Sequence, residues 1–123
     1  MKKVLIADDK ATSRELIRTV LEPLGYEITE AANGLEAVQA ALEIRPDLIV
    51  LDLHMPGLDG YGVVANLRGD KDFEKTPIMA LTASAMHGDR ERALAAGFSS
   101  YVSKPIPLGA LRAEVQRLLE SAE

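Results

Sequence analysis

Five residues combine a reactive type with a telling place: the adjacent pair Asp8 and Asp9, then Asp52, Thr82 and Lys104. Each ends or directly follows a short apolar run (Val4–Ala7, Leu48–Leu51, Pro77–Leu81, and the more polar Ser100–Lys104). If these runs are neighbouring strands, three carboxylates, a hydroxyl and an ammonium meet at one edge of a sheet. Three clustered carboxylates repel one another, so at least one must resist ionisation unless a counterion is present. A hard divalent cation, Mg²⁺ or Mn²⁺, resolves the conflict, since it takes oxygen ligands and commonly combines one or two carboxylates with water and phosphate. Asp9, Asp52 and a backbone carbonyl just beyond Asp52 suit as ligands, with Asp8 holding metal-bound water. Lys104 offers a compact positive charge to a phosphate oxygen. A carboxylate so placed can attack a phosphoryl donor and form an aspartyl phosphate.

Whether the five residues meet depends on the elements that carry them. Val4–Ala7, Leu48–Leu51 and Pro77–Leu81 are continuous apolar runs, as in strands covered on both faces. Tyr26–Ala31 and Ser100–Lys104 are more polar, as edge strands are. Helical spacing appears in Leu16, Ile17, Val20, Leu21 and Leu24. It recurs in Leu35, Val38, Ala41 and Leu42, then in Val63, Val64 and Leu67, and last in Leu108, Leu111, Val115, Leu118 and Leu119. A fourth helix, about residues 84–96, has only Met86 and Leu94 as large apolar residues and is the weakest to dock. Asn33 and Asp59 are suited to cap the second and third helices, Gly97 to end the fourth and Pro107 to begin the fifth. Five βα units with right-handed crossovers predict a three-layer α/β sandwich with a parallel sheet. With the greasiest strands central, the order is 2-1-3-4-5, flavodoxin-like, and its ligand site lies at the carboxyl ends of strands one and three.

The 123 residues suit one domain spanning 1–123, and 47 % hydrophobic residues are enough for a core without staples. The absence of cysteine excludes thiol chemistry and Cys-based zinc sites. The first apolar run is too short for a signal sequence or membrane span, so the expected location is the cytoplasm. The net charge is −5 and the basic residues are scattered, which gives no footprint for nucleic acid.

Val4-Leu5-Ile6-Ala7-Asp8-Asp9 resembles the opening of response-regulator receiver domains of the chemotaxis-regulator type. Asp52-Leu53-His54-Met55-Pro56-Gly57-Leu58-Asp59-Gly60 resembles their phosphoacceptor strand and loop. Leu81-Thr82-Ala83 and Tyr101-Val102-Ser103-Lys104-Pro105 match the two remaining motifs. The likeness runs from Lys3 to about Leu119. It implies a two-component switch in which Asp52 takes a phosphoryl group from a histidine kinase or phosphotransfer protein. Asp8 and Asp9 would be the acidic metal pair, and His54 would lend its backbone carbonyl to the metal. Thr82 would be the switch hydroxyl, Tyr101 the aromatic switch and Lys104-Pro105 a cis peptide. The His54 and Ser84 side chains would tune phosphoryl lifetime. Such a domain modifies itself and turns over no external substrate. Its output would reach a separate protein effector through the face of helix four, strand five and helix five, unless the chain is a module of a hybrid kinase or larger regulator.

Other functions fit less well. Gly57, Gly60 and Gly62 follow a strand but are ordered G-x-x-G-x-G, which is not the dinucleotide fingerprint. An aspartyl phosphatase would carry its nucleophile after the first strand and a second Asp two residues later, where this chain has His54. A calcium loop from Asp52 would need Glu at its twelfth position, which is Val63. A module that is never phosphorylated would be expected to have lost Asp52, Lys104 or the acidic pair. Lys10 and His87 read as surface residues, and Met79 and Met86 as packing.

Overall fold

The computed structural model describes residues 1–83, 88–105 and 107–121. Five strands, β1 (Lys3–Ala7), β2 (Glu27–Ala31), β3 (Leu48–Asp52), β4 (Ile78–Thr82) and β5 (Ser100–Ser103), form one parallel sheet in the order β2-β1-β3-β4-β5. Helices α1 (Ala11–Leu21), α2 (Gly34–Ile44), α3 (Gly60–Arg68), α4 (Asp89–Ala96) and α5 (Leu108–Ser121) cover its two faces. This is the expected flavodoxin-like arrangement.

The strand sequences explain the order. Every residue of β3 and β4 is buried, whereas β2 and β5 carry polar, partly exposed residues and stand at the edges. Alternation splits the core into two layers. Leu5, Ala7, Ile49, Leu51, Ile78 and Ala80 pack with Ala37 and Ala41 of α2, Val63, Val64 and Leu67 of α3, and Ala93 of α4. On the other face Val4, Ile6, Val50, Met79 and Leu81 meet Ile17 and Leu21 of α1 and Leu111 and Val115 of α5.

Several boundaries differ from the sequence reading. Helix α1 stops at Leu21, and Glu22–Leu24 form a 3₁₀ turn instead, because Pro23 has no N–H for the helical ladder. Leu35 and Leu42 are largely exposed; α2 docks through Gly34, Ala37 and Ala41, small residues that bring its backbone close to the β3–α3 loop. A Cβ on Gly34 would stand 1.9 Å from the Leu58 carbonyl oxygen. Tyr26 and Pro77 precede their strands rather than opening them. Both expected caps are present: Asn33 Oδ1 accepts from the Glu36 N–H at 2.9 Å and Asp59 Oδ1 from the Gly62 N–H at 2.9 Å. No described helix is long and apolar enough to cross a membrane.

Gly60 lets α3 start against the end of β3. Its N–H donates to the Leu53 carbonyl at 3.1 Å, and a Cβ there would lie 2.8 Å from the Asp52 carbonyl oxygen and 2.9 Å from Leu53 Cα. Gly60→Ala is therefore expected to destabilise the fold by about 2 kcal/mol, within the usual range for overpacking a tight site. A lower urea midpoint at unchanged m-value checks this, and an unchanged midpoint would show that the loop gives way freely.

Candidate functional site

The acidic residues gather at the carboxyl ends of the central strands. Asp8 and Asp9 occupy the turn from β1 to α1, and Asp52 is the last residue of β3. Asp8 is buried, with 1 % of its surface exposed. Its N–H donates to the Ala31 carbonyl at 3.1 Å, its Oδ1 accepts from the Lys10 N–H at 2.9 Å, and its Oδ2 accepts from Lys104 Nζ at 2.7 Å. Asp52 is also buried; its Oδ1 accepts from the His54 N–H at 3.1 Å, and its Oδ2 lies 3.9 Å from Lys104 Nζ. Asp9 is exposed. One carboxylate oxygen from each of Asp8, Asp9 and Asp52 lies within 4.8 Å of the others.

Lys104 sits one residue beyond β5, not within it as the sequence suggested. Its backbone N–H still donates to the Thr82 carbonyl at 2.7 Å, so the ladder carries the side chain to the same edge. The Lys104–Pro105 peptide is cis. The ammonium bonds Asp8 and only approaches Asp52, and this asymmetry matters for the acid chemistry. Burial, the largest influence, holds the Asp52 carboxyl above its ordinary value. The His54 N–H opposes that rise, the Asp8 charge adds to it, Lys104 opposes it and Asp9 adds to it, in decreasing order.

The donor set suits a hard divalent cation. It is all oxygen, two of its carboxylates are fixed by backbone N–H groups and an ammonium, and the third is open to water, as a partly hydrated Mg²⁺ requires. The His54 backbone is tied to the same cluster through its bond to Asp52.

Thr82 ends β4 and is fully buried. The register pairs Ala80 with Tyr101 and Thr82 with Ser103, so Thr82 and Tyr101 lie on one face of the sheet as diagonal neighbours. The Tyr101 ring packs on the α2–α3–α4 side of the core. Ser84, Met86 and His87 lie outside the described residues.

Two groups of residues at this edge escaped the sequence reading. Arg14 on α1 donates from Nη1 to the Asp8 carbonyl at 2.7 Å. On the other side, Tyr61 of α3 meets Phe98 edge to face at 5.9 Å, and the Arg92 guanidinium of α4 lies 5.7 Å from the Tyr61 ring centre while pairing with Asp89 at 2.9 Å. The Tyr61 and Tyr101 hydroxyls are buried without a well-formed hydrogen bond among the described residues. The Asp89/Arg92 spacing of three on one helix, following an aromatic at the start of α3, was the available signal.

Residues 4–116 match the family model described as the response regulator receiver domain. The chain belongs to that family. It is 42 % identical over 105 residues to the polar-differentiation response regulator DivK of Brucella anthropi, covering 85 % of each chain. Among solved structures it resembles the chemotaxis response regulator CheY4 of Vibrio cholerae, with a TM-score of 0.90 and 32 % identity over 96 % of this chain and 98 % of that one. It also resembles the receiver domain of a Pseudomonas aeruginosa sensor histidine kinase, with a TM-score of 0.88 and 36 % identity over 97 % and 98 %. That structure holds a magnesium ion coordinated in its active-site cleft. The receiver domain described here is thus a signalling module of two-component systems, related to DivK and CheY.

A raised Asp52 value has a definite consequence for this receiver. Between the ordinary carboxylate range and the raised value, the folded state holds a proton that the unfolded chain has released, so stability falls as pH rises through that window. In metal-free buffer, Asp52→Asn is expected to raise the melting temperature at pH 7 and to lose that advantage below about pH 4, where both states are protonated. Equal melting temperatures at pH 7 would show that the carboxylate carries no penalty.

Proposed function

We propose that this receiver domain is a phosphorylation switch, with Asp52 as the acceptor and a bound Mg²⁺ or Mn²⁺ as the required cofactor. The observation that carries the reading is the placement of Lys104 Nζ, 2.7 Å from Asp8 and 3.9 Å from Asp52, beside carboxylates that converge within 4.8 Å. In the transfer, a carboxylate oxygen of Asp52 forms a bond to phosphorus as the bond from phosphorus to the donor's imidazole nitrogen breaks, and that nitrogen keeps the electron pair. The bound cation would neutralise charge on the phosphoryl oxygens. Asp9, Asp52 and the His54 carbonyl would hold it, with Asp8 acting on its water. Lys104 would leave Asp8 for a phosphoryl oxygen, a short reach for a side chain already between the two carboxylates. The His54 N–H fixes the orientation of the attacking carboxylate. His54, at the mouth, and Ser84 would set how readily water reaches the product.

The phosphodonor is a histidine kinase or phosphotransfer protein. The groove between α1 and the turn after β5, lined by Ser13, Leu16, Ile17, Leu81, Ala83 and Pro105 and flanked by Lys104, offers it an apolar seat beside the acceptor. Readout falls to Thr82 and Tyr101. A phosphoryl group on Asp52 gives the Thr82 hydroxyl a charged acceptor, and its inward movement frees space on the shared sheet face for the Tyr101 ring. The face of α4, β5 and α5 then presents a changed surface to a protein effector. Helix α4 suits this role, because its only fully buried apolar side chain is Ala93 and Leu94 is 40 % exposed.

Incubation with Mg²⁺ and acetyl phosphate should give a single phosphoryl adduct by intact mass, labile to hydroxylamine and absent from Asp52→Asn. An undiminished adduct in that variant would remove Asp52 from the role. Thr82→Ala should still form the adduct, but its phosphorylation-induced amide shifts over Asp89–Ala96 and Ser100–Ser103 should fall to less than half those of wild type. Full-sized shifts there would show that the signal bypasses Thr82.

A further inference from the structure

The acidic turn poses a mechanical problem. Asp8 is gripped by Lys10, Lys104 and Ala31, but the Asp9 side chain makes no hydrogen bond or ion pair with the described residues, although its carboxylate lies within 4.8 Å of two others. Repulsion favours its rotation outward into water, and only the backbone resists. The peptide joining Asp8 to Asp9 is held at its carbonyl by Arg14 Nη1 at 2.7 Å. That guanidinium is itself anchored: its Nε donates to Glu30 Oε1 at 3.0 Å, and its side chain is only 17 % exposed. Glu30 Oε2 is held in turn by Arg18 Nη1 at 2.8 Å, and Arg18 Nε reaches Glu22 at 3.1 Å. The Arg14–Glu30 contact ties the loop peptide to edge strand β2, whereas Arg18 reaches Glu30 but not the turn.

We propose that Arg14 is a positioning residue for the metal site: by fixing the Asp8–Asp9 peptide it aims the otherwise untethered Asp9 carboxylate at the cation. The proposal rests on the reading of the acidic cluster as a divalent-metal site. Its strength is that charge and position have opposite signs. A guanidinium beside three carboxylates repels a divalent cation, so on Coulomb grounds alone its removal tightens metal binding. If Arg14 instead orients the ligand, its removal weakens binding, as the loss of groups that orient metal ligands does elsewhere by 10–100-fold. Geometry also separates Arg from Lys here. The fork spans a carbonyl and a carboxylate at once, which a single ammonium on a flexible stem does less well.

Isothermal titration of the whole chain with Mg²⁺ decides between the signs. Arg14→Met and Arg14→Lys are both expected to bind Mg²⁺ about tenfold more weakly than wild type, the low end of that range. Arg18→Met, which removes an equal charge and a Glu30 contact but does not touch Asp8, should stay within about twofold. Binding by Arg14→Met as tight as wild type or tighter overturns the proposal. So does an Arg14→Lys variant that matches wild type, since the fork spanning the Asp8 carbonyl and Glu30 would then not be needed, and so does equal weakening by Arg18→Met. A second measurement needs no metal: hydrogen exchange of the Asp8 amide, which donates to the Ala31 carbonyl of β2, and of the Lys10 amide, which donates to Asp8 Oδ1, should quicken at least fivefold in Arg14→Met and not in Arg18→Met. Unchanged exchange there shows that the turn holds without Arg14 and overturns the proposal. Wild-type protein that binds no Mg²⁺ would defeat the metal reading, whereas the exchange experiment would still report on Arg14's grip.

Discussion

Three carboxylates crowd the end of a buried parallel sheet, and the architecture around them answers that crowding. At separations of no more than 4.8 Å, two full charges repel by at least roughly 3 kcal/mol at an effective dielectric of about 20. That is a large share of the stability of a small domain, typically about 5–15 kcal/mol. A fold can hold such a cluster only if the surrounding elements are rigid and the charges are partly matched. The fully buried strands β3 and β4 provide the rigidity. The Lys104 ammonium and the Lys10 and His54 N–H groups provide the partial match. The remaining deficit makes the edge receptive to added positive charge.

The same tension explains the division of labour between the two sides of the site. On the α1 side, contacts are charged: Arg14 bonds the Asp8 carbonyl and Glu30 at once, clasping the acidic turn to the edge strand. On the α4 side, the contacts among the described residues include an aromatic edge-to-face pair and a guanidinium over a ring. Contacts of that kind contribute about 0.5–1.5 kcal/mol each and can be exchanged at small net cost. If the proposed switch operates, a rigid acidic flank opposite a helix held by such exchangeable contacts would suit a conformational relay.

Much of this was legible in the chain. Strand order followed from how apolar each run is, and the convergence of Asp8, Asp9, Asp52, Thr82 and Lys104 on one edge followed from that order. Where the reading departed from the structure, tertiary packing or a single backbone rule had prevailed. Leu35 and Leu42 looked like core residues by periodicity, yet α2 approaches the β3–α3 loop so closely that Gly34, Ala37 and Ala41 take the inner face. Pro23 ended α1 before Leu24. Arg14 went unnoticed because its partner is a backbone carbonyl, which leaves no mark in a pattern of side-chain types. Tyr61 and Arg92 meet only once α3 and α4 are packed, and the Asp89/Arg92 spacing hints at an ion pair within α4 but not at its aromatic neighbour.

The bond between Lys104 and Asp8 joins residues 96 positions apart, and this separation has a meaning for biosynthesis. The acidic pair leaves the ribosome early, followed by Asp52, while the matching ammonium arrives only with the last crossover. Chains grow and fold from the amino terminus, so a nascent or truncated chain lacking β5 carries the electrostatic burden without its relief. Such a chain has the buried Asp8 and Asp52 carboxylates but not the lysine that bonds the first and approaches the second. The charge balance of the acidic edge is therefore complete only in molecules whose last βα unit has docked.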